Sequence, residues 1–181
     1  MKDKHILLGV TGSIAAFKAA DLTARLVKEG AQVVVIMTEG AQKFVAPLTF
    51  ETLARRPVIT SMWERTEPYV EPVHVGLADW ADLMVVAPAT ANFMGKLAHG
   101  IADDMLSCMA LAMPRPPLIA PAMNVRMWEH PAVQANAKLL TERGCRFVGP
   151  VEGRLASGAF GMGRMAEVGD VMEAIRKDLG K

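Results

Sequence analysis

Along the chain, short runs of consecutive apolar residues alternate with longer segments of mixed polarity, and the boundaries carry glycine, proline or a small polar residue. Residues 5–10 (His5-Ile6-Leu7-Leu8-Gly9-Val10) are the first apolar run. A run of this length without alternation suits a strand covered on both faces. Thr11-Gly12-Ser13 interrupts it as a turn, and residues 14–29 read as a helix closed by Gly30. A second apolar run occupies 31–37. Strand, helix and strand in this succession predict a right-handed crossover and a parallel sheet.

The same alternation continues to the end of the chain. Thr38-Glu39-Gly40 predicts a turn, followed by a short helical stretch and a helix opened by Pro47 near 48–54. Val58-Ile59-Thr60 is a third strand candidate, and 64–73, with Pro68 and Pro72, reads as a loop. A short helix is expected over 74–80, a fourth strand over 83–87 stopped by Pro88, and helices over 91–98 and 103–112. Pro116-Pro117 precedes a fifth strand at 118–120. A helix over 131–143 ends at Gly144, a last strand covers 146–148, a glycine-rich loop spans 149–164 and a helix over 168–179 closes the chain. There is no internal repeat, low-complexity tract or linker. The expectation is one α/β domain over 1–181: a doubly wound, Rossmann-like or flavodoxin-like, mostly parallel sheet.

Composition narrows the function classes. The chain is 51% hydrophobic and 22% charged, which suits a globular protein. Its net charge is +1 with Lys and Arg scattered, so no basic stripe marks it as a nucleic-acid binder. Cys108 and Cys145 are the two cysteines and lack C-x-x-C spacing, so neither a disulfide framework nor a metal site is expected. Met1-Lys2-Asp3-Lys4-His5 leads straight into the first strand without a signal-like apolar region, and no apolar stretch approaches the roughly 20 residues of a membrane span. The expected location is the cytoplasm, with no membrane partner. Thirteen methionines suit irregular apolar packing, in a core or at subunit contacts.

In a sheet of this kind ligands bind beyond the carboxyl ends of the strands, which singles out the loops 11–14, 38–40, 88–93, 121–128 and 149–164. Gly12 lets a backbone approach a ligand, and Ser13 could cap the next helix or donate to a phosphate. The spacing is not G-x-G-x-x-G. In Pro88-Ala89-Thr90-Ala91-Asn92-Phe93, one polar residue can cap a helix while the other faces a ligand. Asn124, beyond the fifth strand, can hold a carboxylate through its amide NH₂, whereas Arg126 is a stronger partner by charge or simply a surface cation. The segment 153–165 holds four glycines and reads as a substrate lid or a plain surface loop. His74 stands alone; an imidazole can serve acid–base chemistry or be structural.

Taken together and in order, Gly12-Ser13-Ile14-Ala15-Ala16-Phe17-Lys18, His74, Pro88-Ala89-Thr90-Ala91-Asn92, Pro121-Ala122-Met123-Asn124-Val125-Arg126-Met127-Trp128 and the glycine-rich 153–165 segment resemble the flavin-containing cysteine decarboxylases. The resemblance covers nearly the whole chain. It implies an FMN held between subunits of a homotrimer, with trimers assembled into a dodecamer in many members. By the same resemblance Gly12, Ser13, Ile14 and Thr38 hold the phosphate side of FMN, Thr90, Ala91 and Asn92 line flavin and substrate, and Ala122 lies by the ring. His74, Asn124 and Ser157 take the catalytic positions, with Asn124 orienting the substrate carboxylate. Asn92, Asn124, Met127, Ala156 and Arg164 contact the substrate.

One departure bears on the reaction. The family's clamp reads Leu-Ala-Cys-Gly, and this chain has Leu155-Ala156-Ser157-Gly158. A serine hydroxyl is far less acidic than a thiol with its pKa of about 8.5, and so is a poorer proton donor. The family implies either conversion of phosphopantothenoylcysteine to phosphopantetheine in coenzyme A synthesis, or oxidative decarboxylation of a peptide's C-terminal cysteine that stops at an ene-thiol. A flavin prenyltransferase fits the P-x-M-N motif poorly. A non-catalytic regulatory subunit on the same fold is the reading of another class. Asp103-Asp104 also departs from the Asp-Asn of many members.

Overall fold

A computed structural model of the protein describes residues 1–63 and 73–180. Five strands, β1 (His5–Val10), β2 (Gln32–Met37), β3 (Leu83–Ala89), β4 (Leu118–Pro121) and β5 (Arg146–Phe147), form one sheet in the order β2-β1-β3-β4-β5. Every neighbouring pair is parallel. This is the flavodoxin-like order, and it reverses between β1 and β3, where a crevice opens at the carboxyl ends.

The unbroken apolar runs are explained by two cores, one on each face of the sheet. Ile6, Leu8 and Val10 of β1 point to one side with Val33, Val35 and Met37 of β2. They pack against α1 (Ala16–Lys28), α3 (Pro47–Ala54) and α9 (Val168–Asp178) through Leu22, Leu26, Phe50, Val171 and Ile175. Leu7, Val34, Ile36, Met84, Val86 and Ile119 point to the other side. There they meet α4 (Val73–Trp80), α5 (Ala91–His99), α6 (Met105–Ala112) and α8 (Pro131–Glu142). Burying a Leu- or Ile-sized side chain contributes about 2 kcal/mol, and successive strand residues do so on opposite faces. Two one-turn helices, α2 (Glu39–Gln42) and α7 (Val125–Trp128), sit at strand ends. Among the described residues no helix is long and apolar enough to cross a membrane.

Three expectations change. Pro88 does not stop the fourth strand: β3 continues to Ala89, which pairs with Pro121 of β4 after a register shift. The third strand at 58–60 reduces to a single parallel bridge between Ile36 and Ile59. Arg55 ends α3 in a left-handed conformation (φ 54°) and Pro57 follows, so the chain lies beside β2 only at Ile59, which accepts from Met37 N–H at 2.9 Å and donates to the Val35 carbonyl at 3.0 Å. The glycine-rich loop is instead an antiparallel hairpin, β6 (Val151–Arg154) with β7 (Phe160–Arg164). Its glycines serve close approach: a β-carbon on Gly161 would come 2.8 Å from Val125, and one on Gly163 would collide with the Met123 carbonyl. The hairpin thus lies flat on the segment that follows β4. The loop expected over 64–73 lies outside the described residues except for Val73, which opens α4.

Candidate functional site

The loops beyond β1, β2, β3 and β4 are tied to one another. Thr11 is buried, and its hydroxyl donates to the Pro88 carbonyl at 2.8 Å while accepting the Thr90 N–H at 3.0 Å. Ala122 N–H donates to the Ala89 carbonyl at 2.9 Å, which fixes the β4 loop to the end of β3. A β-carbon on Gly12 would stand 3.1 Å from the Gly40 backbone, so the loop after β1 rests on the one after β2. Thr38 caps α2, accepting from Ala41 N–H at 3.3 Å.

Between the loops after β1 and β4 and the hairpin lies a cavity of about 360 Å³, within the usual range for small-molecule sites. Ser13, Ile14, Phe17 and Lys18 form one wall, Ala122, Met123 and Asn124 the floor, and Arg154 to Ser157 with Gly163 to Met165 the other wall. Of the residues singled out from the sequence, the cavity gathers Ser13, Ile14, Ala122, Asn124, Ala156, Ser157 and Arg164. Gly12 and Thr38, in the tied loops, do not line it. Thr90 caps α5 by accepting from Phe93 N–H at 3.4 Å, Ala91 is half-buried and Asn92 exposed in that helix's first turn. Met127 is exposed on α7, off the cavity wall. His74 is half-buried in the first turn of α4, a helix of the opposite sheet face, and does not line this cavity.

Asn124 has the most informative geometry. It is the N-cap of α7, and its Oδ1 accepts the Arg126 N–H at 2.9 Å. That bond fixes the amide orientation and leaves the Nδ2 donors without a partner among the described residues, on a residue that lines the cavity. Opposite stands the hairpin turn, where Leu155 N–H donates to the Ala159 carbonyl at 2.8 Å and Gly158 N–H to the Leu155 carbonyl at 2.9 Å. Ser157 sits exposed at its tip, while the hairpin base is pinned by Met123 N–H to the Gly163 carbonyl at 2.9 Å.

Charge around the cavity is uneven. Lys18 Nζ donates to Glu167 at 3.0 Å and to the Met165 carbonyl at 3.2 Å, and Arg164 donates to the same Glu167 oxygen at 2.9 Å. The hydrogen bond from Lys18, with its charge and that of Arg164, holds the Glu167 carboxyl below its ordinary range. Arg154 is exposed and has no hydrogen-bond or ion-pair partner among the described residues. Thr11, Lys18 and Arg154 were not singled out from the sequence. A hydroxyl immediately after a strand was the available signal for Thr11; the roles of the two cations depend on which of them reaches Glu167, and only Lys18 does.

A CoaBC, "Coenzyme A biosynthesis bifunctional protein", of Bacillus subtilis (strain 168) is 50% identical over 98% of this chain, which spans 43% of that protein's length. A "probable phosphopantothenoylcysteine decarboxylase" of Streptococcus mutans is 43% identical over 97% of this chain and 99% of its own. Among solved structures, a cysteine-to-serine mutant of PPC decarboxylase complexed with pantothenoylaminoethenethiol superposes with a TM-score of 0.88 and 31% identity, covering 99% of this chain and 100% of that one. The FMN-dependent cysteine decarboxylase SpaF superposes at 0.82 with 36% identity, covering 97% of this chain and 95% of that one. The family model described as Flavoprotein matches residues 1–180, and the chain belongs to the Flavoprotein family.

Proposed function

We propose that the protein is an FMN-dependent decarboxylase that converts 4′-phosphopantothenoylcysteine to 4′-phosphopantetheine in coenzyme A synthesis. The observation that carries this reading is the Asn124 amide: one end is spent on capping α7, and the other is a free pair of donors at a cavity shared with Ser13 and Ser157. Such a donor pair suits a carboxylate. The relatives named for this activity match nearly the whole chain.

The residues present fit FMN. The small Ala122 leaves room at the strand ends, and Ile14 and Phe17 give an apolar wall for a flat ring. Ser13, with the backbone of Gly12 and Ile14, would hold the phosphate ahead of α1, and Thr38, Thr90, Ala91 and Asn92 complete the cradle. When bound, FMN would supply the two-electron acceptor for the substrate thiol, the oxidation that sets up loss of CO₂.

Within that frame the chain's own groups have distinct roles. Asn124 Nδ2 orients the carboxylate that departs. The turn carrying Ala156 and Ser157 closes over the substrate, with Met127 and Arg164 at its sides, and excludes water. His74 acts as base or thiol-positioning group. Because His74 stands off its own chain's cavity, this role requires the FMN to lie between subunits, in a homotrimer that can assemble further into a dodecamer. Residues 1–181 act as one FMN-binding domain, and the protein works in the cytoplasm.

Ser157 favours a second reading of the outcome, in which the product leaves as an ene-thiol. A PPC decarboxylase mutant with a cysteine-to-serine change is complexed with pantothenoylaminoethenethiol. A visible spectrum and mass spectrometry of the product test both readings. Yellow protein and a product lighter by CO₂ support the full conversion, while further loss of two hydrogens supports ene-thiol release. Colourless protein that cannot be reconstituted with FMN rejects both.

A further inference from the structure

His74 is carried by α4, and the two ends of that helix are held differently. Of its eight residues only Ala78 is buried, while Val73, Leu77 and Trp80 pack half-buried against the core on their face of the sheet. Among the described residues no hydrogen bond or ion pair holds the His74 side chain, and it does not line its own chain's cavity. At the other end a cluster closes on Trp80. The His5 ring stacks on the Trp80 ring, with centroids 4.4 Å apart and planes 14° from parallel, and its Nδ1 donates to the Trp80 carbonyl at 3.0 Å. The Arg56 guanidinium stands over the same indole at 5.6 Å and donates to Gln32. Two residues on, Asp82 N–H donates to the His5 carbonyl at 2.9 Å, and Asp82 Oδ2 accepts the His5 N–H at 2.8 Å.

That cluster ties α4 to the centre of the sheet. His5 opens β1, which lies between β2 and β3, and Gln32 opens β2. A stacked aromatic pair contributes beyond its buried area, and a guanidinium over an indole adds to it. With a rise of about 1.5 Å per residue, His74 stands about 9 Å along the helix axis from Trp80. A tilt of about 10° at the anchored end would therefore move the imidazole by about 1.5 Å. Misplacing a reacting group by about 1 Å can cost about 100-fold in rate. On the reading above His74 serves a site between subunits, so its aim depends on the helix that carries it.

We propose that Trp80, held by His5 and Arg56, is a positioning residue for His74. The stack at the amino ends of β1 and β2 sets the angle of α4, and so the approach of the imidazole to the reacting group. Trp80 acts through the helix, without touching substrate or cofactor. The inference rests on the decarboxylase reading and on the part that His74 plays in it.

The test is a double-mutant cycle on FMN-loaded enzyme, with Trp80→Leu, His74→Gln and the pair assayed for CO₂ release from phosphopantothenoylcysteine. Trp80→Leu should lower kcat about 10- to 100-fold with KM and FMN content little changed, because the fault lies in approach and not in binding. In the His74→Gln background the same substitution should change kcat by less than about 3-fold, since no imidazole is left to aim. Trp80→Phe keeps a ring for His5 and Arg56 and should recover most of the rate. Equal losses in both backgrounds, or a native kcat in Trp80→Leu, overturn the proposal. The NMR signal of the His74 ring, identified by its loss in His74→Gln, gives a second reading that needs no residual activity. It should shift in Trp80→Leu and return in Trp80→Phe, and an unmoved signal also overturns the proposal. Should Trp80→Leu not fold, His5→Leu enters the same cycle, removing the stacked imidazole and its bond to the Trp80 carbonyl, and the same results decide. Native CO₂ release by His74→Gln removes His74 from the reaction and the positioning role with it, leaving the decarboxylase reading in place. If the unaltered enzyme releases no CO₂, that reading falls and takes the proposal with it.

Discussion

The hydroxyl of Thr11 accepts the backbone N–H of Thr90 at 3.0 Å, across 79 residues of sequence, and donates to the Pro88 carbonyl at 2.8 Å. One buried side chain thereby joins the loop after β1 to the loop after β3, the two that frame the crevice at the point where strand order reverses. Both hydroxyl functions are used, and Thr11 N–H adds a weaker bond to the same Pro88 carbonyl at 3.3 Å.

Replacing Thr11 by Val keeps the shape and removes the clasp. Pro88 retains the Thr11 N–H, but the Thr90 N–H loses its acceptor, at a cost of about 1–3 kcal/mol. For a chain of this size that lowers Tm by about 2–4 °C per kcal/mol. The clasp joins Thr90 to the loop that carries Ser13, so FMN affinity, read by flavin fluorescence titration, should fall as well. Thr11→Ser should restore both. A Val variant with native flavin affinity would show that the loops hold their positions unaided.

Asn124 combines a structural and a chemical role, and two substitutions separate them. In Asn124→Asp a carboxylate oxygen still accepts the Arg126 N–H, so the cap of α7 survives. The free donors, however, become a negative oxygen facing the substrate carboxylate. Decarboxylation should fall by about 100-fold or more with Tm little changed. Asn124→Ala loses cap and donors together, and should cost about 1 kcal/mol of stability in addition. Thermal melts alongside kcat/KM decide the matter, and an active Asp variant would remove Asn124 from carboxylate binding.

Legibility from sequence followed the range of the interactions involved. The runs at Ile6-Leu7-Leu8 and Val33-Val34-Val35 announce strands because both faces are buried, and the strand-end rule then reaches Ser13 and Asn124. The hairpin was hidden because glycine signals mobility and close approach alike, and only contact with Val125 and Met123 distinguishes them at Gly161 and Gly163. The α7 turn was also missed; four residues are too few for a periodic pattern, and its cap, Asn124, reads from sequence as a ligand residue. The Thr11 clasp, the position of His74 on the far face and the isolation of Arg154 all depend on partners distant in the chain. Local patterns do not specify those partners.

The Asp-Asp pair that departs from the family pattern gives a pH-dependent prediction. Lys96 Nζ lies 2.7 Å from both Asp103 and Asp104, and Asp104 caps α6 in a reciprocal arrangement with Ser107. Burial pushes the Asp104 carboxyl up, but hydrogen bonds from Lys96 and Ser107 outweigh it and hold its pKa below the ordinary value. Burial likewise opposes charge on Lys96, and its bonds to Asp103 and Asp104 raise it on balance. A carboxyl depressed in the folded state stabilises above its unfolded pKa, and that contribution disappears as pH falls through the folded value. Asp104→Asn keeps the cap while removing the charge. It should lower stability by about 1 kcal/mol near neutrality, with the two proteins converging only as pH falls below the ordinary Asp range. Melting curves from pH 2 to 8 check this, and a gap that is constant with pH would deny the charge its role.

Ser157 occupies the tip of the hairpin turn, exposed between Ala156 and Gly158, so a cysteine fits there without displacing a neighbour. Once CO₂ has left, returning the electron pair to the ene-thiol requires a proton delivered to carbon. A serine hydroxyl is a weak source, whereas a thiol with pKa of about 8.5 is a competent one. Ser157→Cys should therefore shift the product from ene-thiol towards the saturated thiol without changing CO₂ release, because the oxidation and decarboxylation precede the clamp's proton. Single-turnover reactions under anaerobic conditions, with product masses compared between the two proteins, separate the steps. Equal yields of saturated thiol from both would mean that water or the Ser157 hydroxyl already delivers the proton, and that the exchange of sulfur for oxygen at this tip leaves the reaction intact.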